Sequence, residues 1–315
     1  MQQRYDAAIG GCCIMLLYHR VTNIDTDPQQ LAVQPHLFDL QMDYLNKNYA
    51  VLSIDEIEWH INNKKKLPSN AIAISFDDGY ADNYIEALPI LEKHQLPAVF
   101  YIATATINTR DEFWWDAVER IFLLGKTPSV LKYTLNGLDI DFTDFDKNSK
   151  RIYNQVLPML RIMQPNARQE IIKQWQVIFN DFEPRASHRA VTFEELIHFA
   201  KSKYVTIGAH THNHTSLAAL DYSLQENEIA ISKSILSKIL DNPISHFSFP
   251  FGTKVDYNAD TIAICKHLKF KTVAANYPYI IHKKSDLFQL PRYLVRNWEI
   301  ETFKKQLHYF AQSCR

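Results

Sequence analysis

The stretch Ala71-Ile72-Ala73-Ile74-Ser75-Phe76-Asp77-Asp78-Gly79 decides the fold. Its first six residues alternate small and apolar side chains without a charge, the pattern of a strand buried within a sheet, and Gly79 relieves the bend that follows. Such a strand delivers two carboxylates to the sheet edge. Much further on, Tyr204-Val205-Thr206-Ile207-Gly208-Ala209 opens into His210-Thr211-His212-Asn213-His214. One carboxylate and two imidazoles form a donor set for a divalent transition metal that keeps positions open for water and substrate. The expectation is a metal-dependent enzyme.

Spacing decides which histidines share an ion. In an extended segment the alpha carbons of His210 and His214 would lie roughly 13 Å apart, too far for two imidazoles each about 2 Å from a metal. A turn brings them within about 6 Å on one side. His210 and His214 are then the pair, and His212 points elsewhere. Adjacent residues of an extended segment project oppositely, so one of Asp77 and Asp78 reaches the metal while the other faces the substrate as a general base. A bound dication keeps both charged.

At these residues the chain resembles the polysaccharide deacetylases of the NodB-homology type, carbohydrate esterase family 4. Their first motif matches Ser75-Phe76-Asp77-Asp78-Gly79, their second His210-Thr211-His212-Asn213-His214, and their third, ending in an aromatic and Gly, matches Phe249-Pro250-Phe251-Gly252. The resemblance implies Asp77 as general base, Asp78, His210 and His214 as metal ligands, and the Phe251 backbone N–H as an oxyanion donor. It implies one divalent ion, usually Zn, while the donor set also accepts Co, Ni, Mn or Fe. It runs from Leu17-Tyr18-His19-Arg20-Val21 to Leu290-Pro291-Arg292 and departs in two places. Ser248 stands where many members carry an Arg paired with the base, and the late Leu-x-His motif that supplies the general acid has no counterpart. Arg292 is expected to replace the missing cation if the final strand passes under the site. For the acid, His19, His282 and His308 are all candidates.

At 315 residues one α/β barrel accommodates the chain. Lys plus Arg number 34 against 35 Asp plus Glu, so no nucleic-acid surface is indicated. No run approaches the roughly 18 to 20 apolar residues of a membrane span. Cys12, Cys13, Cys265 and Cys314 do not make a disulfide framework, and we read the chain as cytoplasmic, with peripheral contact at the inner membrane left open.

Strand-like and helix-like stretches alternate: a strand at 14–18, helices at 35–46 and 53–62, the Asp77 strand, a helix at 84–94 and a strand at 96–102. This favours a mostly parallel sheet with each motif at a strand's carboxyl end. The expectation is a distorted, incomplete (β/α) barrel of the deacetylase type in one domain, 1–315, interrupted by a mostly helical insertion at 104–190. Within the insertion, helices are expected at 151–163 and 167–179 and a polar segment at 141–150. Trp114 and Trp115 have two readings, as platforms that stack on sugar rings or as core anchors, and Trp298 has the same two. The barrel resumes at Thr192-Phe193-Glu194-Glu195, a capping box. The activity expected is hydrolysis of N-acetyl groups on amino sugars of a bacterial surface polysaccharide or its precursor, with a glycan or a lipid-linked sugar as partner. Alternatives are a deformylase or O-acetyl esterase on a related sugar, or a sugar-binding protein on the same scaffold without turnover.

Overall fold

Residues 11–312 are described by the structure, a computed structural model. Nine strands form its main sheet: β1 (Cys12–Tyr18), β2 (Ala50–Val51), β3 (Ala71–Phe76), β4 (Ala98–Ile102), β5 (Val205–Ala209), β6 (His246–Ser248), β7 (Thr272–Ala274), β8 (Ile281–His282) and β9 (Tyr293–Leu294). Their order is β7-β6-β5-β4-β3-β1-β8, with β2 on β3 and β9 on β1, and every pairing is parallel except β1 with β8.

Side-chain parity divides the strands between two apolar clusters. Ile14, Leu16, Ile72, Ile74, Phe76, Phe100 and Ile102 face outward to the helices. Cys13, Met15, Ala71, Ala73, Val99 and Tyr101 face inward, closed below by Ile54, Ile57 and Ile61 of α2 (Ile54–Asn62). The small inward residues let the sheet curl tightly. Gly208 belongs to the same device, because a Cβ there would lie 2.5 Å from Tyr101 Cδ1 and 2.9 Å from the His246 carbonyl oxygen.

The curl is closed by the chain's last extended segment. Leu290 bridges Ala274 of β7, the Ala275 N–H donates to the Leu290 carbonyl at 2.8 Å, and β9 pairs in register with Leu16 and Leu17 of β1. The ring is distorted there, since Leu290 and Tyr293 hold opposite edges with Pro291 and Arg292 between them. Register also aligns the carboxyl ends: Tyr18 stands opposite Phe76, Phe76 opposite Phe100, Ile102 opposite Ala209, and Phe247 beside Ala209. The residues after these positions therefore meet on one rim.

Between β4 and the capping box at Thr192, where the Glu195 N–H donates to Thr192 Oγ1 at 3.1 Å, the chain builds a second apolar cluster. It contains α4 (Trp114–Glu119), α5 (Phe145–Arg161) and α6 (Pro165–Phe179), around Phe122, Phe142, Trp175 and Phe179. Two expectations are corrected. A β-hairpin, Lys132–Leu135 with Leu138–Asp141, lies within this stretch, and α5 begins at Phe145 rather than 151. The hairpin turns on Asn136-Gly137, both left-handed, at φ 48 and 80. Cys13 and Cys265 are free thiols whereas Cys12 is disulfide-bonded, so the cysteines do not argue for a reduced compartment. No helix of the described residues is long and apolar enough to cross a membrane.

Candidate active site and metal centre

Asp77 follows β3 with the inward parity of Ala71, Ala73 and Ser75, and Asp78 turns away from it at φ 74, a left-handed conformation uncommon outside Gly. Gly79 then takes φ 91, where a Cβ would stand 2.8 Å from Ile102 Cγ2. The turn after β5 also uses left-handed residues, Thr211 at φ 64 and His214 at φ 49, and the His214 N–H donates to Thr211 Oγ1 at 3.1 Å. This folds the two imidazoles together with ring centroids 4.8 Å apart.

The Asp78 carboxylate meets both rings. Its Oδ1 lies 3.6 Å from His210 Nε2 and 3.3 Å from His214 Nε2. Donors about 2.0–2.1 Å from a tetrahedral ion stand about 3.3–3.5 Å from one another, close to these two separations, and all three atoms lie within 4.8 Å of one another. The His210 Nδ1–H donates to the Ser248 carbonyl at 2.7 Å, which fixes the tautomer and turns the Nε2 lone pair inward. Burial holds both imidazoles neutral, lowering His210 to about 4 and His214 to about 3. The Asp78 side chain, in a residue 2% exposed, accepts no hydrogen bond from the described residues, and its pKa is raised above its ordinary value by burial, with His19 and His210 opposing. A buried carboxylate without a counter-cation beside two neutral imidazoles fits a dication.

Asp77 has a different partner. Arg292, fully buried, donates from Nη1 and Nη2 to the two Asp77 oxygens, both at 2.7 Å, and also to Ser248 Oγ at 2.8 Å and the Ala275 carbonyl at 2.9 Å. Burial alone would raise the Asp77 pKa, but the Arg292 charge, with His210 and the paired hydrogen bonds, outweighs it and holds the carboxyl well below the usual range. Ser248 leaves the room the guanidinium fills. Two neighbouring carboxylates are thus pushed apart, one charged by its Arg and one awaiting a cation.

A family model described as Polysaccharide deacetylase matches residues 64–127 and 142–273, more than half of the chain. The chain belongs to this family. Among its relatives, a Bacillus subtilis protein, YxkH, classed with the polysaccharide deacetylases, is 26% identical over 40% of this chain and 44% of its own length. The poly-beta-1,6-N-acetyl-D-glucosamine N-deacetylase of Escherichia coli is 30% identical over 30% of this chain and 14% of its own length. The matches thus span less than half of either curated relative. The fold resembles that of the Streptococcus pyogenes deacetylase PplD, solved in complex with acetate, at a TM-score of 0.61 and 19% identity, covering 96% of this chain and 98% of that one.

In this member of the polysaccharide deacetylase family Asp77, Asp78, His210 and His214 floor a cavity of about 290 Å³, walled by His19, Trp115, Phe251 and Leu294 and rimmed by Gln29, Arg161, Thr253, Asn276 and Arg296. Phe251, at φ 60, packs its ring 4.7 Å from that of His214, and its N–H has no acceptor among the described residues. Trp115 lies 4.5 Å from His214 by ring centroids and donates to the Tyr80 hydroxyl at 2.7 Å, while the Trp114 indole donates to the His214 carbonyl at 3.3 Å. Both indoles, 3% and 9% exposed, back His214; Trp114 lines a neighbouring cavity with Arg168 and His212. His212 bonds Thr104 Oγ1 and stays out of the centre.

Of the candidate acids, only His19 lies in the cavity. His282 pairs with Cys12 at the opposite end of β1, and His308 is on α10 (Ile300–Ala311), outside the barrel. His19 directly follows β1, and its Nδ1 is buried without a hydrogen-bond partner. Position after a strand was its sequence signal, shared with Asp77 and His210. Trp298 packs near Phe310 of α10, with ring centroids 6.4 Å apart, and does not line the cavity. A second buried cluster, Asp116, Glu119 and His188, already holds a cation, because Arg185 pairs with Glu119 at 3.1 Å.

Proposed function

We propose that this chain is a metal-dependent N-deacetylase that removes acetyl groups from amino sugars of a surface polysaccharide or its precursor. The observation that carries it is the Asp78–His210–His214 trio beside an Arg-clamped Asp77 in one open cavity. A divalent ion held there, Zn or another ion that accepts carboxylate and imidazole donors, supplies Lewis acidity toward the acyl carbonyl and lowers the pKa of water.

The protein's own groups supply the proton transfers. Asp77, kept ionised by Arg292, accepts the proton of the attacking water. The Phe251 N–H is free to donate to the oxyanion of the tetrahedral stage, where a preorganised donor counts most. An amine leaves only when protonated, and His19 is the remaining imidazole in the cavity, so we assign it the acid. Burial lowers its pKa, opposed by Asp78 and Asp77, so its protonated fraction grows as pH falls below neutrality. Trp115 and Phe251 form the wall the acetyl methyl would meet. A reading without turnover rested on the missing Arg and the missing acid. Arg292 on Asp77 and His19 in the cavity support the reading with turnover.

The test is acetate release from N-acetylated oligosaccharides before chelation, after chelation and after metal return, with N-formyl and O-acetyl substrates alongside. Release that depends on returned metal supports the reading. Absence of release from every acylated sugar, with the ion bound, refutes it.

A further inference from the structure

The rim of the catalytic cavity carries charge that the hydrolysis of a neutral glycan does not use. Arg296, two residues beyond β9, reaches it from one side, and Arg161, at the end of α5, from the other. Their surroundings differ. Arg161 donates through Nε and Nη2 to Asp256 Oδ1 and sits over the Phe251 ring, with Cζ 4.1 Å from the centroid. Arg296 donates through Nη1 to the carbonyls of Gln29 and Gln30, and no carboxylate lies within ion-pair distance of it among the described residues. Its Nε and Nη2 have no protein acceptor there. Burial lowers the Arg296 pKa, with only Asp27 opposing, and Asp27 already accepts the N–H groups of Leu31 and Ala32.

Charge counting sharpens the point. Asp77 is neutralised by Arg292 and Asp256 by Arg161, which leaves Asp78 as the unpaired anion lining the cavity. With a dication on Asp78, and with Arg296 at the rim, the loaded cavity has a formal excess of two positive charges. Hydrolysis of a neutral amide leaves that excess unchanged, because the proton Asp77 takes from water balances the charge of the oxyanion. An anion is accommodated at the rim, where a guanidinium fork has free donors and Asn276, Thr253 and Gln29 offer neutral polar groups around it.

We propose that Arg296 is an anion-binding subsite, and that the preferred substrate is an N-acylated amino sugar bearing a phosphate or carboxylate substituent close to the scissile amide. This rests on the deacetylase reading for its position beside the reaction but not for its binding. A phosphate on the sugar and a carboxylate on a neighbouring uronic acid present the same chemistry to a guanidinium, so both are tested.

The probes are a neutral N-acetylglucosamine oligosaccharide, N-acetylglucosamine 1-phosphate, and an N-acetylated oligosaccharide containing a uronic acid. Calorimetric binding to metal-loaded Asp77→Asn protein reads the subsite without turnover, and kcat/KM on wild-type protein reads its use. At least one anionic probe is expected to exceed the neutral one by about tenfold or more in both readings, the worth of one charge-assisted hydrogen bond in a half-buried site. The excess should sit in KM and shrink as salt rises. Arg296→Gln should bring the ratio to within about threefold, and Arg296→Lys should restore part of it. Equal binding of neutral and anionic probes, or an Arg296→Gln variant that keeps the wild-type ratio, overturns the proposal. Preferential anion binding without acetate release from any probe would instead leave the subsite standing and remove the deacetylase reading.

Discussion

Replacing Arg292 with Met tests the logic of the site most directly. Arg292 lies fully buried, and its two bonds to Asp77 are both 2.7 Å long. Met fills part of the stem's volume but leaves Asp77 a buried carboxylate with one hydroxyl donor, Ser248 Oγ at 3.3 Å. Removing one partner of a buried ion pair costs about 3–5 kcal/mol, a large share of a typical stability of about 5–15 kcal/mol. The pH dependence carries a sign. In the wild type the folded pKa of Asp77 lies below its unfolded value of about 3.9, so the pair's contribution is fully present above that pH and is lost as pH falls through the folded value. In Arg292→Met the guanidinium no longer opposes burial, and the folded pKa lies above the unfolded one. Ionised Asp77 then destabilises at pH 7, and this penalty shrinks on acidification. Urea unfolding of chelator-treated protein at pH 7 and pH 5 reads both effects. A loss below about 1 kcal/mol at pH 7, or a loss as large at pH 5 as at pH 7, would refute the reasoning.

Further outcomes follow from the same geometry. His210→Ala and His214→Ala should each lose the catalytic ion by metal analysis, since two remaining protein ligands leave a poorly closed site; full stoichiometric metal in both ends the assignment. Asp77→Asn should keep the ion but lose about 10²–10⁴ in rate, while Asp78→Asn weakens metal binding itself; the opposite pattern would exchange their roles. His19→Ala should slow amide hydrolysis far more than hydrolysis of an O-acetyl ester, whose leaving group needs less protonation. It should also flatten any rise in kcat/KM for the amide below pH 7; equal slowing of both substrates argues against the acid role. Gly208→Ala, with its new Cβ 2.5 Å from Tyr101 and 2.9 Å from the His246 carbonyl, should cost about 1–3 kcal/mol in thermal unfolding, and an unchanged melting temperature would show that the sheet yields there.

The alternation of apolar strands with amphipathic helices made the barrel legible, because parallel strands covered on both faces leave continuous apolar runs such as Cys12–Tyr18. The metal trio was legible because its ligands lie in two short, contiguous motifs. Arg292 was reached by asking what replaces a missing charge at Ser248. His19 had no comparable argument, since a single His after a strand is common and the charged groups it faces, Asp77, Asp78, His210 and Arg292, are remote in sequence. Both His19 and Arg292 lie outside the residues the family model matches. The hairpin was readable in Asn136-Gly137, a type of turn signal strong enough to have predicted it. What Trp114 and Trp115 pack against, the His214 ring and backbone, was not readable, because an aromatic pair at a helix start has the same composition whatever it faces.

The segment that closes the ring also delivers the guanidinium to Asp77. Leu290 and Tyr293 hold the two edges of the sheet, and Arg292 between them carries the charge that keeps the proposed base ionised. Unzipping these few residues would uncouple the sheet edges and neutralise Asp77 in one event, while leaving Asp78, His210 and His214 in place on strands that do not need it. Local fraying at the seam would therefore produce a molecule that keeps the proposed ion site but not its proposed base. Such a species would be silent in an assay and indistinguishable by metal content, and amide exchange at Leu290 and Val295 would be the place to see it.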